Sequence, residues 1–234
     1  MPRWTDRTGP HRMVFADVDG TVLRGSSLID FLLFDARRRG VRAAGEELVA
    51  TVRAAVAAGA PRHRTAPLLY SWWAGRPVPE VFEAARDWVG ARVRAGDLVH
   101  RAVLDEIEGH RRAGAEVVFV SASFDAPLTA LSEALGANAF RCTPMEVRER
   151  VYTGATGAPM LGERKAEVVR GWPVPAGAHR VGYGDHVSDL PMLAAVDEPV
   201  AVTDGSDEAL VTAARARGWR VLRAVAVEAN RSNS

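Results

Sequence analysis

The feature that most constrains this chain is a short apolar run ending in two aspartates and a turn, Val14-Phe15-Ala16-Asp17-Val18-Asp19-Gly20-Thr21. A continuous apolar run of this length suits a strand buried on both faces, the mark of a parallel sheet covered by helices. With a period of two, Asp17 and Asp19 leave the strand on one side, at its carboxyl end. In open α/β sheets that end is where ligands bind. Two carboxylates held close share a cation or a proton, because like charges do not both stay ionised cheaply. Gly20 lets the backbone turn, and Thr21 offers a hydroxyl or an amide to an anion. An Asx-turn that merely ends a strand uses the same residues.

The rest of the chain alternates short strand-like runs with helical stretches, which predicts a parallel sheet flanked by helices. Strands are expected at Met13 to Asp17, Glu116 to Ser121, Ala178 to Tyr183 and Pro199 to Thr203. Helices are expected at Ala126–Leu135, Arg164–Arg170, Asp189–Val196 and Asp207–Arg217. One stretch breaks the rhythm. Between Ser27 and Ala95 only helical periodicity is visible, punctuated at Gly40, Gly59-Ala60-Pro61, Gly75, Pro77 and Pro79. The predicted architecture is therefore α/β: a Rossmann-like parallel sheet core (residues 10–26 and 96–225) with an inserted helical cap domain (27–95). A helix from Asp97 is expected to return the chain to the core.

Charge narrows the partners. Thirty basic side chains nearly cancel 29 acidic ones, so no global field points to nucleic acid or an anionic membrane. The cluster Arg37-Arg38-Arg39 with Arg42 reads as a solvated face. The first residues, MPRWTDRTGPHRM, carry no apolar signal core, and no apolar run approaches the ~20 residues a membrane helix needs. Cys142 is the only cysteine, which excludes an internal disulfide and a multi-thiolate metal site. A cytoplasmic protein is the expectation.

Three further constellations carry chemistry. Val117-Val118-Phe119-Val120-Ser121 is a second buried strand ending in a hydroxyl, which suits a phosphate oxygen or a helix N-cap. Lys165 opens a predicted helix and is the only lysine, the other 29 basic residues being arginines. A lone compact ammonium in so Arg-rich a chain suggests that a point charge is needed there. Finally, Gly182-Tyr183-Gly184-Asp185-His186-Val187-Ser188-Asp189-Leu190-Pro191-Met192-Leu193 places one aspartate at a strand exit and another at a helix start. Asp185 suits an oxygen-rich Mg2+ shell, with Asp189 as its orienting partner or as a simple N-cap. His186 reads as a loop residue.

These four motifs, D-x-D-G-T, a strand-terminal Ser, a Lys and G-D-x-x-x-D, resemble in this order those of the haloacid dehalogenase superfamily, over Val14 to Leu222. The helical insertion after the first motif resembles the phosphoserine phosphatase-like branch. The resemblance implies a Mg2+-dependent phosphatase acting on a small-molecule phosphomonoester, of unspecified oligomeric state. Asp17 would attack phosphorus to form an aspartyl-phosphate, and Asp19 would protonate the leaving group and then activate water. Mg2+ would rest on the Asp17 carboxylate, the Asp19 carbonyl and Asp185. Thr21, Ser121 and Lys165 would hold phosphate oxygens, and Asp189 would support metal and lysine. A phosphotransferase using the same intermediate is the alternative, and a non-catalytic phosphoacceptor or binding module a more distant one. Phosphoserine phosphatases carry Ser where Gly20 stands, and a substrate-binding Glu where Ser26 stands. Arg24 and the aromatics Tyr70, Trp72 and Trp73 suggest instead a pocket for a neutral or anionic phosphate.

Overall fold

The computed structural model describes residues 11–224, with only the backbone of 62 and 63. Most of the segment read for a leader signal, residues 1–10, lies outside the described residues, as do both outer limits of the expected core, 10 and 225. Six parallel strands form the central sheet in the order β3-β2-β1-β6-β7-β8. They are β1 (Arg12–Ala16), β2 (Glu116–Val120), β3 (Ala139–Arg141), β6 (His179–Gly184), β7 (Glu198–Thr203) and β8 (Arg220–Arg223). The four expected strands lie within a residue or two of their predicted bounds. The two outer ones, β3 and β8, are short and escaped the apolar pattern.

β1 is central because four of its five residues are apolar and buried on both faces. The chain leaves it towards β2 on one side and later returns to β6 on the other. That reversal of direction opens a crevice at the carboxyl ends of β1 and β6. The Asp17 amide, donating to the Tyr183 carbonyl at 2.9 Å, sets the two strand exits side by side.

Between β1 and β2 stand α1 (Ser27–Arg38), α2 (Arg42–Ala57), α3 (Arg62–Tyr70) and α4 (Val78–Ala95). The insertion does not keep a separate core. Phe31, Trp73 and Trp88 belong to one apolar cluster with Val14, Val117 and Val181 of the sheet. Trp73 lies 4.5 Å from Phe124, at the end of the β2 exit loop, and stacks on Phe31 at 5.4 Å. The expected helix from Asp97 begins only at Arg101, as α5 (Arg101–Arg112). The three residues before it pair with the outgoing chain instead: the Arg24 amide donates to the Leu98 carbonyl and the His100 amide to the Val22 carbonyl, both at 2.9 Å, and Val99 bridges Leu23. Their backbone groups need partners at the neck of the insertion, which a helix there would take away.

On the far side of β2 lie α6 (Asp125–Leu135) and a hairpin of β4 (Met145–Arg148) and β5 (Val151–Thr156). Its two-residue turn, Glu149-Arg150, has φ of 48° and 66°. Turns of this kind favour Asn-Gly, so Glu-Arg gives no sequence signal for it. β5 continues into the insertion: Gly75 donates to the Tyr152 carbonyl at 2.8 Å and Val78 to that of Arg150 at 2.9 Å. After α7 (Glu163–Gly171) and β6, the helix expected over Asp189–Val196 is reduced to a 3-10 turn at Val187–Asp189 and α8 (Leu190–Leu193). The Asp197 amide is drawn back to the Arg180 carbonyl to start β7, which stops the helix early. α9 (Glu208–Ala216) precedes β8. No helix among the described residues is long and apolar enough to cross a membrane.

Candidate active site

Three of the four motifs meet at the β1–β6 crevice, and the remaining one ends at Ser121, at the exit of the neighbouring strand β2. Asp17 follows β1 and Asp185 follows β6, so adjacent strands deliver both carboxylates to one point. Lys165, in the first turn of α7, is 2% exposed and reaches in from the side. Its ammonium lies 2.7 Å from Asp17 Oδ1 and 2.7 Å from Asp189 Oδ1. The other Asp189 oxygen accepts the His186 amide at 3.2 Å, closing the loop after β6. The His186 ring accepts the Ser188 amide at 3.1 Å, and its Nε2 lies 3.8 Å from Asp207 Oδ2.

Gly20 is required for this closeness. Its φ is +82°, and a Cβ there would stand 2.2 Å from Asp185 Oδ2. Any side chain at 20 meets both a strained backbone and a carboxylate. The Thr21 hydroxyl, expected on a phosphate, donates to Asp185 Oδ1 at 2.7 Å. Ser121 lies just past the pairing of β1 with β2, its hydroxyl accepting the Ser123 amide at 3.0 Å. The Ala122 carbonyl between them accepts the hydroxyls of Thr143, at 2.8 Å, and of Tyr70.

Asp19 parts from the cluster. Its Oδ1 accepts the Ser27 amide at 2.9 Å, and its Oδ2 lies 3.4 Å from the Ser26 hydroxyl. Period two brought Asp17 and Asp19 out on one side; the first turn of α1 then draws the second carboxylate towards the insertion. Neither serine carried a sequence signal for this role.

The aromatics and Arg24 serve packing. Tyr70 and Trp73 are buried in the shared core, and the Trp72 indole donates to the buried Asp35 at 2.8 Å. The Arg24 guanidinium donates to the Val99 carbonyl at 2.8 Å, at the neck. Cys142 packs against the same core, and burial pushes its thiol up to about 11. In the basic cluster, Arg38 pairs with Glu83 and Asp87, Arg39 with Asp35 and Arg42 with Glu46.

The electrostatics call for a cation. Oxygens of Asp17, Asp185 and Asp189 lie within 4.8 Å of one another, against the single Lys165 ammonium. Burial holds the Asp17 carboxyl well above its usual range, outweighing the pull of Lys165. Burial likewise raises Asp185 to about 6, although the Thr21 hydrogen bond opposes it. Asp19 is raised by burial against the pull of the Ser27 bond. For Lys165, burial works against the charge, but Asp17 and Asp189 outweigh it and the pKa is raised. Oxygen-only donors with uncompensated negative charge fit a hard divalent ion, held by Asp17 and Asp185 while Asp189 stays with the lysine.

That fit has a measurable consequence. Asp17 and Asp185 have folded-state values above the unfolded 3.8, so their stability contribution is present at low pH and is lost as pH rises through those raised values, about 6 for Asp185. A divalent ion binds only the ionised form and offsets that loss. Millimolar Mg2+ is therefore expected to raise the melting temperature more at pH 8 than at pH 5. A ligand at 100 times its Kd adds about 2.7 kcal/mol, and a chain of this size gains roughly 2–4 °C per kcal/mol. Thermal melts in chelator-treated buffer decide it, and an unchanged melting temperature at pH 8 contradicts it.

Known proteins resemble this chain in part of its sequence or in its fold. A probable phosphatase of Mycobacterium tuberculosis is 37% identical over 131 residues, covering 53% of this chain and 44% of that protein. The chain spans about half the length of the curated relatives it matches. Among solved structures, a protein of unknown function from Bordetella pertussis Tohama I matches with a TM-score of 0.80 at 24% identity, over 93% of this chain and 100% of the other. A phosphoserine phosphatase trapped as a phospho-aspartyl intermediate analogue matches with a TM-score of 0.62 at 17% identity, over 93% and 95%. Both likenesses establish the fold. Residues 14–194, from the first buried strand to the helix behind Asp189, match the family model of haloacid dehalogenase-like hydrolases, and the chain belongs to that family.

Proposed function

We propose that this chain is a magnesium-dependent phosphatase that moves the phosphoryl group of a small organic phosphomonoester first to Asp17 and then to water. One observation carries the reading: a buried carboxylate at the β1 exit, Asp17, is held by the buried ammonium of Lys165 at 2.7 Å beside a second carboxylate, Asp185. The ammonium holds one Asp17 oxygen, Oδ1. In the first displacement an Asp17 oxygen bonds to phosphorus as the bond to the ester oxygen breaks. Asp19, protonated in its buried setting, delivers its proton to that leaving oxygen. In the second, Asp19 takes a proton from water, whose oxygen displaces Asp17 from phosphorus. Splitting the hydrolysis replaces one hard step with two easier ones.

Lys165 neutralises the transferring group throughout, and the Ser121–Ser123 turn faces it from the neighbouring strand exit. Asp17, Asp185 and the Asp19 carbonyl would hold Mg2+, which would supply the remaining positive charge. Residues 27–95 act as the cap over this crevice, and the neck at Leu23–Arg24 and Leu98–His100 joins them to the core residues on either side.

L-phosphoserine is a poor substrate on this reading. Ser26 stands where the resembling enzymes use a glutamate, and its hydroxyl faces Asp19. A charge-assisted hydrogen bond contributes roughly 1.5–3 kcal/mol, and about 1.4 kcal/mol is tenfold in rate. L-phosphoserine is thus expected at least ~10-fold below the best phosphomonoester in kcat/KM. A phosphate-release screen over sugar, nucleotide and amino-acid phosphates, with Mg2+ and with EDTA, tests the whole reading. Full activity in EDTA refutes the metal, silence across the panel refutes the activity, and phosphoserine as best substrate refutes the role given to Ser26.

A further inference from the structure

The insertion does more to the site than cover it. α1 begins with Ser26 as N-cap, φ −118° and ψ 118°, and Ser27 as the first helical residue, fully buried. The first amides of a helix have no partner within it. Here the Ser27 amide, an obligate donor, is given to Asp19 Oδ1 at 2.9 Å. An N–H only donates, and the carbonyl oxygen of a carboxyl group accepts better than its hydroxyl oxygen, so the amide favours Oδ1 as the unprotonated one. Asp19 Oδ2 lies 3.4 Å from the Ser26 hydroxyl, which accepts the Ile29 amide at 3.4 Å and, as a hydroxyl, both donates and keeps a second lone pair for a proton.

We infer that the Ser27 main-chain amide, with the Ser26 hydroxyl, is the positioning device of the acid: it confines the transferable proton to Asp19 Oδ2 and aims that oxygen at the leaving group. The inference rests on Asp19 being the proton donor. Proton delivery then depends on α1 being docked on the β1 exit loop, and the chemical step is built partly from the insertion. In that step the Oδ2–H bond breaks, its proton joins the ester oxygen as the P–O bond breaks, and Asp19 is left as a carboxylate still bonded to Ser27.

Ser27→Pro removes the amide together with the Ser27 hydroxyl, and Ser27→Ala, which keeps the amide, removes the hydroxyl alone. Proline suits the first helical position, and Ser26 already has the extended conformation that precedes a proline. Two esters separate a proton-delivery defect from a general one: p-nitrophenyl phosphate, whose leaving group departs without a proton, and glycerol 2-phosphate, whose alkoxide does not. The readout is kcat/KM, which ends at formation of the aspartyl-phosphate. General acid catalysis contributes about 10²–10⁴-fold, so glycerol 2-phosphate is expected to lose at least about tenfold and p-nitrophenyl phosphate less than about threefold. Both kcat values fall together where intermediate hydrolysis limits, since Asp19 serves both esters there. Ser26→Ala repeats the test with the amide intact and covers a Ser27→Pro chain that does not melt cooperatively. Its split is expected to be smaller and in the same direction, with Ser26→Thr restoring it. Equal kcat/KM losses on both esters, or none on either, overturn the inference. A wild-type chain that hydrolyses neither ester with Mg2+ overturns the acid role of Asp19 itself, and the inference with it.

Discussion

Asp17→Asn is expected to lower phosphomonoester turnover by at least about a thousandfold, the scale seen when a nucleophile is removed from a site that otherwise still binds, while the fold survives. The size follows from the absence of a substitute. Asp185 holds Thr21 and stands at another strand exit, Asp189 is committed to Lys165 and the His186 amide, and Asp19 is turned to Ser26 and Ser27. An amide oxygen has neither the charge nor the basicity to attack phosphorus. Stability is spared because the substitution is nearly isosteric and removes one of three crowded carboxylates, the one that burial already holds well above its usual range. Lys165 keeps Asp189 as its partner at 2.7 Å. Metal-free melts at pH 7 are therefore expected to show no loss. The measurement is single-turnover and steady-state phosphate release on freshly prepared variant, with mass spectrometry excluding deamidation back to aspartate. A variant that keeps a tenth of the wild-type kcat shows that Asp17 is not the nucleophile.

Lys165→Met is expected to cost both activity and stability, which separates it from Asp17→Asn. Methionine fills nearly the same volume without the charge, leaving Asp17 and Asp189 buried with no shared cation. Breaking a buried ion pair from one side costs about 3–5 kcal/mol, and at roughly 2–4 °C per kcal/mol the melting temperature should fall by at least about 6 °C at pH 8. The pH dependence gives the sign. Asp17 is raised already, and without the lysine it loses the principal group that pulls it down. A raised carboxylate is at home in its protonated form, so the variant should recover much of the deficit as pH falls towards 5. In rate, losing the charge that neutralises the transferring group is expected to cost about a hundredfold or more in kcat. Arginine is not expected to rescue it, because a planar guanidinium does not fit a pocket that leaves the ammonium 2% exposed. Melts at pH 5 and pH 8 check the first claim. An unchanged melting temperature at pH 8 shows that the pair does not stabilise the fold.

Much of this was open to inspection in the amino-acid order. Val14 to Thr21 announced a buried strand ending in chemistry, and the lone lysine pointed to itself by contrast with 29 arginines. Helical periodicity between Ser27 and Ala95 marked the insertion. Each of these signals is local: burial on two faces, a period of residues along one element, or a residue type against its background. Where local signals were thin the reading stopped. The Glu149-Arg150 turn adopts positive φ without the residues that favour it, and β3 and β8 are too short for a pattern. Asp97–His100 looked free to be helical because its partners, Val22 and Arg24, lie across the whole insertion.

What the sequence determined by itself is the kind of site: which carboxylates leave which strands, and that an ammonium and a hydroxyl accompany them. Strand polarity and period two decide that within a few residues. Only the tertiary structure decided what each group touches. Thr21 was as well suited to a phosphate as to Asp185, and Tyr70 and Trp73 to a pocket as to a core; packing gave them to Asp185, the Ala122 carbonyl and the Phe31–Phe124 cluster. Asp19 was paired with Asp17 by spacing and then parted from it by one amide of α1. The physical reason is common to all of these. A side chain's direction is settled by hydrogen bonds and contacts with elements far away in the chain, and those partners exist only once the sheet and the insertion have closed on each other.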